Sequence, residues 1–163
     1  MMEEMTITRV IDAPVEEVWR AWTDPERVMR WWGPVGFTSP VAKIDLREGG
    51  KYLFSMRSPE GDMFWSTGVY RKIVPKKQID YTDSFADENG NVVPGSHYGM
   101  DAFPDETHIT LLFEELSGNK TRLTITQDGV PSGELFDASL AGWNESLDKL
   151  EKSLLEMKER QVG

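Results

Sequence analysis

Histidine and cysteine are the side chains that most often ligate metals or act as nucleophiles near neutral pH. This sequence holds two histidines, His97 and His108, and no cysteine. The missing Cys excludes a thiol nucleophile, a disulfide scaffold, a zinc ribbon and an iron–sulfur site together. Two His exclude a three-His zinc centre, and no His-Glu-x-x-His pattern is present, which leaves open only a mixed His/carboxylate site. His108 reads as a partly exposed strand residue, and His97 as the one His placed to touch a ligand. Asp87-Glu88-Asn89-Gly90-Asn91 has the composition of a calcium loop without its spacing. Such a loop wants Gly at its sixth position and Glu at its twelfth, whereas from Asp87 the Gly falls fourth and the twelfth residue is Tyr98; the segment reads as a polar turn. Gly49-Gly50-Lys51 lacks the leading Gly and the Ser/Thr of a phosphate loop and reads as a strand-entry turn. There is no Gly-x-Ser-x-Gly elbow for a serine triad. Acid–base catalysis stays open, because carboxylates are plentiful and their burial is not legible from sequence. No metal and no cofactor is expected.

The sharper feature is apolar: six Trp, seven Phe, four Tyr and eight Met. Much of this supply is needed for a core. Trp31 and Trp32, however, are adjacent on a short helix, where neighbouring side chains diverge by about 100°, so one is expected to face a cavity or its rim. Trp143 follows Gly142, which would let a ligand or another backbone approach that helix. Phe54, Met56, Trp65 and Tyr81 sit on strands whose inward face depends on register, and a one-residue slip would exchange the lining set. With Phe85, His97, Tyr98, Met100 and Leu147, these are the candidate ligand-binding residues.

The elements that must position them follow from periodicity. Thr6 to Ile11 reads as a strand. Asp12-Ala13-Pro14 opens a helix with Val15, Val18, Trp19 and Trp22 on one face, and Asp24 caps a second short helix bearing Val28, Met29, Trp31 and Trp32, stopped by Gly33-Pro34. From Thr38 the period changes to two: strands are expected at Val41–Leu46, Lys51–Arg57, Met63–Val74, Gln78–Ser84, Thr107–Leu116 and Thr121–Gln127. The 22 residues from Phe85 to Glu106 have little periodicity. A long structureless segment in a compact fold is usually functional or mobile, and it is expected at a pocket mouth. Residues 133 to about 158 form the clearest element, a helix with Phe136, Leu140, Trp143, Leu147, Leu150 and Leu154 in one stripe. Its other face carries Glu145/Lys149, Asp148/Lys152 and Glu156/Arg160, expected as i,i+4 pairs on a solvated surface.

Consecutive strands exclude a doubly wound fold. The expectation is one α+β domain over residues 1–163: a curved antiparallel sheet of about six to seven strands, two short helices after the first strand, and a long C-terminal helix across the sheet with a cavity between. A formal net charge of −10 argues against nucleic acid or an anionic membrane as partner. No apolar run approaches the roughly 20 residues of a membrane span. The acidic start, Met1-Met2-Glu3-Glu4-Met5, is unlike a secretory signal, so a cytoplasmic location is expected.

Asp12-Ala13-Pro14-Val15-Glu16-Glu17-Val18-Trp19 followed by Trp31-Trp32-Gly33-Pro34 resembles the opening of the SRPBCC, or START-like helix-grip, superfamily. Gly49-Gly50-Lys51-Tyr52, Met56-Arg57-Ser58-Pro59-Glu60-Gly61 and Gly142-Trp143-Asn144-Glu145-Ser146-Leu147-Asp148-Lys149-Leu150 look like a narrower branch, the homologues of the C-terminal domain of the activator of heat-shock-protein-90 ATPase. The resemblance covers about residues 5 to 157. It implies a helix-grip fold with an internal hydrophobic cavity, and relatives that include cochaperones, carriers of lipids or polyketides, and cyclases. The activator's additional N-terminal domain is not expected in a chain of this length. Binding of a small hydrophobic or aromatic molecule is therefore the leading expectation, a chaperone-interacting module the second, and a cyclase or hydrolase-like enzyme the third.

Overall fold

The computed structural model describes residues 2–162, with side chains through residue 158. The elements run β1 (Met2–Ile11), α1 (Val15–Thr23), α2 (Pro25–Trp31), β2 (Ala42–Ile44), β3 (Lys51–Arg57), β4 (Met63–Val74), β5 (Gln78–Ala86), β6 (Thr107–Leu116), β7 (Lys120–Pro131) and α3 (Glu134–Val162). The strands form one seven-stranded antiparallel sheet in the order β1-β7-β6-β5-β4-β3-β2. Consecutive strands are neighbours throughout β2 to β7, and only β1 crosses over, to pair with β7.

Local chemistry accounts for the helical elements. In α1 the apolar positions Val18, Trp19, Ala21 and Trp22 are buried, and Glu16 and Glu17 lie in the first turn, where negative charge is favoured by the helix dipole. Asp24 accepts the backbone N–H of Glu26 at 3.0 Å and Pro25 supplies the first residue of α2. Trp32 is already extended, with φ −63° and ψ 128°, so the chain leaves the helix between the two tryptophans.

Register decides which strand residues face inward. Met56 pairs with Phe64, Phe54 with Ser66 and Tyr52 with Gly68 on β3 and β4. Tyr70 pairs with Tyr81, and Tyr81 in turn with Ile109. Phe54, Met56 and Tyr81 therefore share the inner face. Trp65 pairs with Ser55 and Ala86 on the opposite face. It does not point toward the helix side, which corrects its place in the expected lining set.

α3 covers the inner face, packing mainly on α2 and β7, then on α1 and β1. Leu147, Leu150 and Leu154 are buried there with Val18, Met5, Ile7 and Ile125 in one apolar core. Asp148 and Lys152 are exposed, as expected of a solvated face, but the expected i,i+4 pairing of the α3 charges needs correction. Glu145 accepts the backbone N–H of Val35, and the Lys149 ammonium donates to the carbonyls of Gly33, Pro34 and Phe37 at 2.9–3.4 Å. Asp148 and Glu151 both hold Arg9 of β1, at 2.6 and 2.9 Å, and Asn144 accepts its other nitrogen. These residues bind α3 to β1 and to the 33–37 loop instead of pairing along the helix; Glu156 is exposed, and the side chain of its expected partner Arg160 lies outside the described residues. Among the described residues no helix is long and apolar enough to cross a membrane.

Candidate functional site: a cavity between α3 and the sheet

Because α3 meets the sheet chiefly at β7 and β1, its N-terminal half stands away from the middle strands. The space left is a cavity of about 390 Å³ lined by Trp32, Met56, Met100, Phe103, Leu135 and Trp143, with Gly33, Pro34, Asp83, Ile109, Gln127, Ala138, Ser139, Gly142 and Ser146 completing the wall. Four of the sequence candidates meet here: Trp32 from the end of α2, Met56 from β3, Met100 from the 87–106 connection and Trp143 from α3.

The two adjacent tryptophans divide as their geometry requires. Trp31 is fully buried and its indole N–H donates to the Ala21 carbonyl at 2.9 Å. Trp32, turned out of the helix, stands in the cavity wall against Trp143 and Phe54, with ring centroids 6.0 and 4.8 Å away. Among the described residues its indole N–H has no partner, an uncompensated cost in a buried donor. Trp143 is half-buried, not the fully packed core residue that the stripe suggests. Its indole N–H donates to the Gln127 side chain at 2.9 Å, and the Gln127 amide donates on to Thr107 at 3.1 Å. This chain of bonds fixes the Trp143 ring across α3, β7 and β6. At Gly142 a Cβ would meet nothing within 4 Å, so this position leaves the helix backbone open toward the cavity.

The other candidates lie elsewhere. Phe54, Tyr81 and Leu147 are core residues at 5%, 5% and 0% exposure. Phe85 and Tyr98 belong to an aromatic group beside the cavity. Tyr98 stacks against Phe64 and Phe85, and Phe85 meets Phe103, with centroids 5.4–6.1 Å apart. The Tyr98 hydroxyl donates to the Ala86 carbonyl and accepts the backbone N–H of Trp65, pinning the ends of β4 and β5. His97 is exposed beside Tyr98 and is not part of the wall. His108 is exposed on β6 near Glu106 and Asp128. Asp87 accepts the backbone N–H groups of Asn89 and Asn91, each at 2.9 Å; those bonds to the charged form hold its carboxyl below the usual range.

Sequence reasoning missed Phe103, Gln127 and Leu135 of the wall, and with them the group of most chemical consequence, Asp83. It lies on the inner face of β5, flanking Tyr81 and lining the cavity. Its carboxylate accepts the Tyr52 hydroxyl at 2.5 Å, and among the described residues it has no cationic partner. Burial raises its pKa from the ordinary 3.8 to about 6, against the smaller opposing effect of the Tyr52 hydrogen bond. The same burial, with the nearby Asp83 charge, pushes the phenols of Tyr52 and Tyr81 well up. Tyr52 reaches Asp83 across β4 because the intervening residue is Gly68: a Cβ there would lie 2.8 Å from the Tyr52 ring and in collision with the Thr82 carbonyl. A lone Gly inside a strand is the sequence signal for such an approach, and it was the available clue to this pair.

A sheet that grips one long helix over an apolar cavity defines the helix-grip, or START-like, class of α+β proteins. Residues 12–155 match the family described as Activator of Hsp90 ATPase homolog 1-like protein, and the chain belongs to that family. A crystal structure of a Chromobacterium violaceum protein is similar at 30% identity and TM-score 0.77, over 93% of this chain and 96% of that one. A solution structure from Arthrobacter aurescens is similar at 27% identity and TM-score 0.77, covering 96% and 91%. The AHSA1 protein from Silicibacter pomeroyi shares the fold, at 21% identity and TM-score 0.74 over 95% and 99%. No functionally curated protein matches.

Proposed function

We propose that this protein binds a small hydrophobic or aromatic molecule, such as a lipid fragment, a polyketide or a polyphenol-like compound, in the cavity beneath α3. The observation that carries the reading is the wall itself: Trp32, Met56, Met100, Phe103, Leu135 and Trp143 converge from four parts of the chain on one space of about 390 Å³, a size and character suited to small ligands. Binding would bury the apolar body of the ligand, and Asp83, Gln127 and the cavity serines would orient its polar end. A cytoplasmic location and action as one unit accompany this reading.

A panel of planar apolar compounds tests it. A ligand at 100 times its Kd stabilises the fold by about 2.7 kcal/mol, a rise of several degrees at roughly 2–4 °C per kcal/mol. No shift from any compound would defeat it. The chaperone-module reading rests on the family description, and stimulation of an Hsp90 ATPase by the purified protein would move it ahead. The Asp83–Tyr52 pair is the observation that favours an enzyme; turnover lost in Asp83→Asn would support that reading.

A further inference from the structure

We propose that the cavity selects ligands carrying a positive charge, a protonated amine or similar organic cation on an apolar planar body, and that Asp83 is the group that binds that charge. This deepens the ligand-binding reading and rests on it. Three independent features of the site converge on this chemistry. The first is the carboxylate. Asp83 is the one carboxylate in a mostly apolar cavity wall, with one side-chain hydrogen bond, from Tyr52, and with no Lys, Arg or His among the lining residues. A buried charge left without a counter-charge is costly, and a ligand cation would supply what the protein does not. At neutral pH the group is mainly ionised, since its pKa stands at about 6.

The second feature is the arrangement of rings. Trp32 and Trp143 stand 6.0 Å apart in the same wall at an interplanar angle of 90°, and indole faces are the best aromatic partners for a cation. The third is the ionisable company. The titratable groups around Asp83 are the phenols of Tyr52 and Tyr81. From the elements packed over it, β6, β7 and α3 bring Ile109, Gln127, Ser139 and Ser146 to the cavity wall. None of these repels a cation, whereas an anionic ligand would meet Asp83 directly. The net charge of −10 adds long-range attraction in the same direction.

The test is a matched set on one scaffold: 1-naphthylmethylamine, 1-naphthalenemethanol and 1-naphthoate, with affinities measured by calorimetry at pH 7.5 and at low and 0.5 M salt, conditions chosen at about the limits of screening. The amine is expected to bind about 10–100-fold more tightly than the alcohol, the range of a charge-assisted contact, and the carboxylate more weakly than either. The preference should persist in salt, because a buried pair is little screened. Asp83→Asn should bring the amine-to-alcohol ratio close to one. Tyr52→Phe, which removes the competing donor, should keep or raise the ratio, and it carries the test if the Asn variant does not fold. Equal affinity of amine and alcohol, or a preference that salt abolishes, would overturn the inference while leaving the ligand-binding reading in place. Absence of binding by all three in wild type, together with a silent apolar panel, would remove both.

Discussion

The two halves of α3 carry the same apolar stripe and do different work. Leu147, Leu150 and Leu154 are buried at 0%, 0% and 6% exposure. One turn earlier Trp143 is half-buried, and Leu135 is 40% exposed at the cavity mouth. The difference lies beneath the helix. Leu147, Leu150 and Leu154 belong to one packed core with side chains of β1 and β7, Ile7 and Ile125 among them, and the Arg9 clamp on Asp148 and Glu151 holds β1 against this half. Under the N-terminal half the sheet presents Asp83, Met56 and Ile109 across a gap. Periodicity identifies which residues face inward, but what they meet is set by where the helix lands on the sheet.

The comparison can be broken most forcefully in the packed half. Leu150→Ala removes a fully buried side chain from a filled core and should cost about 3–5 kcal/mol in chemical denaturation. Leu135→Ala, at the mouth of the cavity, should cost less than about 0.5 kcal/mol. Similar losses at both sites would mean that the cavity half is as tightly packed as the rest.

Next in size is the charge under the open half. The native state binds the Asp83 proton more tightly than the unfolded chain does, because the folded pKa of about 6 stands above the ordinary 3.8. Burial of this carboxylate therefore lowers stability above pH 6, and the penalty is relieved as the pH falls from about 6 toward 4. At roughly 1.4 kcal/mol per pKa unit the effect is about 3 kcal/mol. Denaturation midpoints at pH 4.5 and 7.5 should differ less in Asp83→Asn than in wild type. An unchanged difference would place the titrating group elsewhere.

A smaller effect concerns the struts. Lys149→Met removes the donor to three carbonyls of the 33–37 segment and should lower stability by about 1–2 kcal/mol. Because Gly33 and Pro34 belong to the cavity wall, ligand affinity should fall as well. Smallest in free energy is the behaviour of residues 87–106. They are held by the Asp87 turn and by Tyr98, and they supply Met100 and Phe103 to the cavity. Amide exchange there should be faster than in β5 and β6, and ligand should protect residues 97–100. Uniform protection in the free protein would contradict a mobile rim.

The sequence was legible where a pattern is local. Strand β4, helix α2 with its Asp24 cap, and the β6–β7 hairpin follow from alternation and capping, and the four cavity residues Trp32, Met56, Met100 and Trp143 come from the aromatic and Met supply. Other features depend on partners distant in sequence. Trp65 misleads because its face is fixed by the Met56–Phe64 pairing, which composition does not reveal. The α3 charges look like helix-surface pairs because Glu145/Lys149 has the favourable spacing, yet long-range partners win: a loop carbonyl cluster and a β1 arginine. Asp83 is one carboxylate among many in an acidic chain, and only the absence of a side chain at Gly68 hints that Tyr52 reaches it.

The central claim, that the gap under the N-terminal half of α3 takes an apolar ligand, is tested most directly by titrating a compound that shifts the melting temperature against wild type and Met56→Arg, with Trp fluorescence as a second readout. A charged side chain in the wall should abolish both the thermal shift and the fluorescence change while far-UV circular dichroism stays that of the wild type. Equal binding by the folded variant would place the ligand outside this cavity and contradict the account.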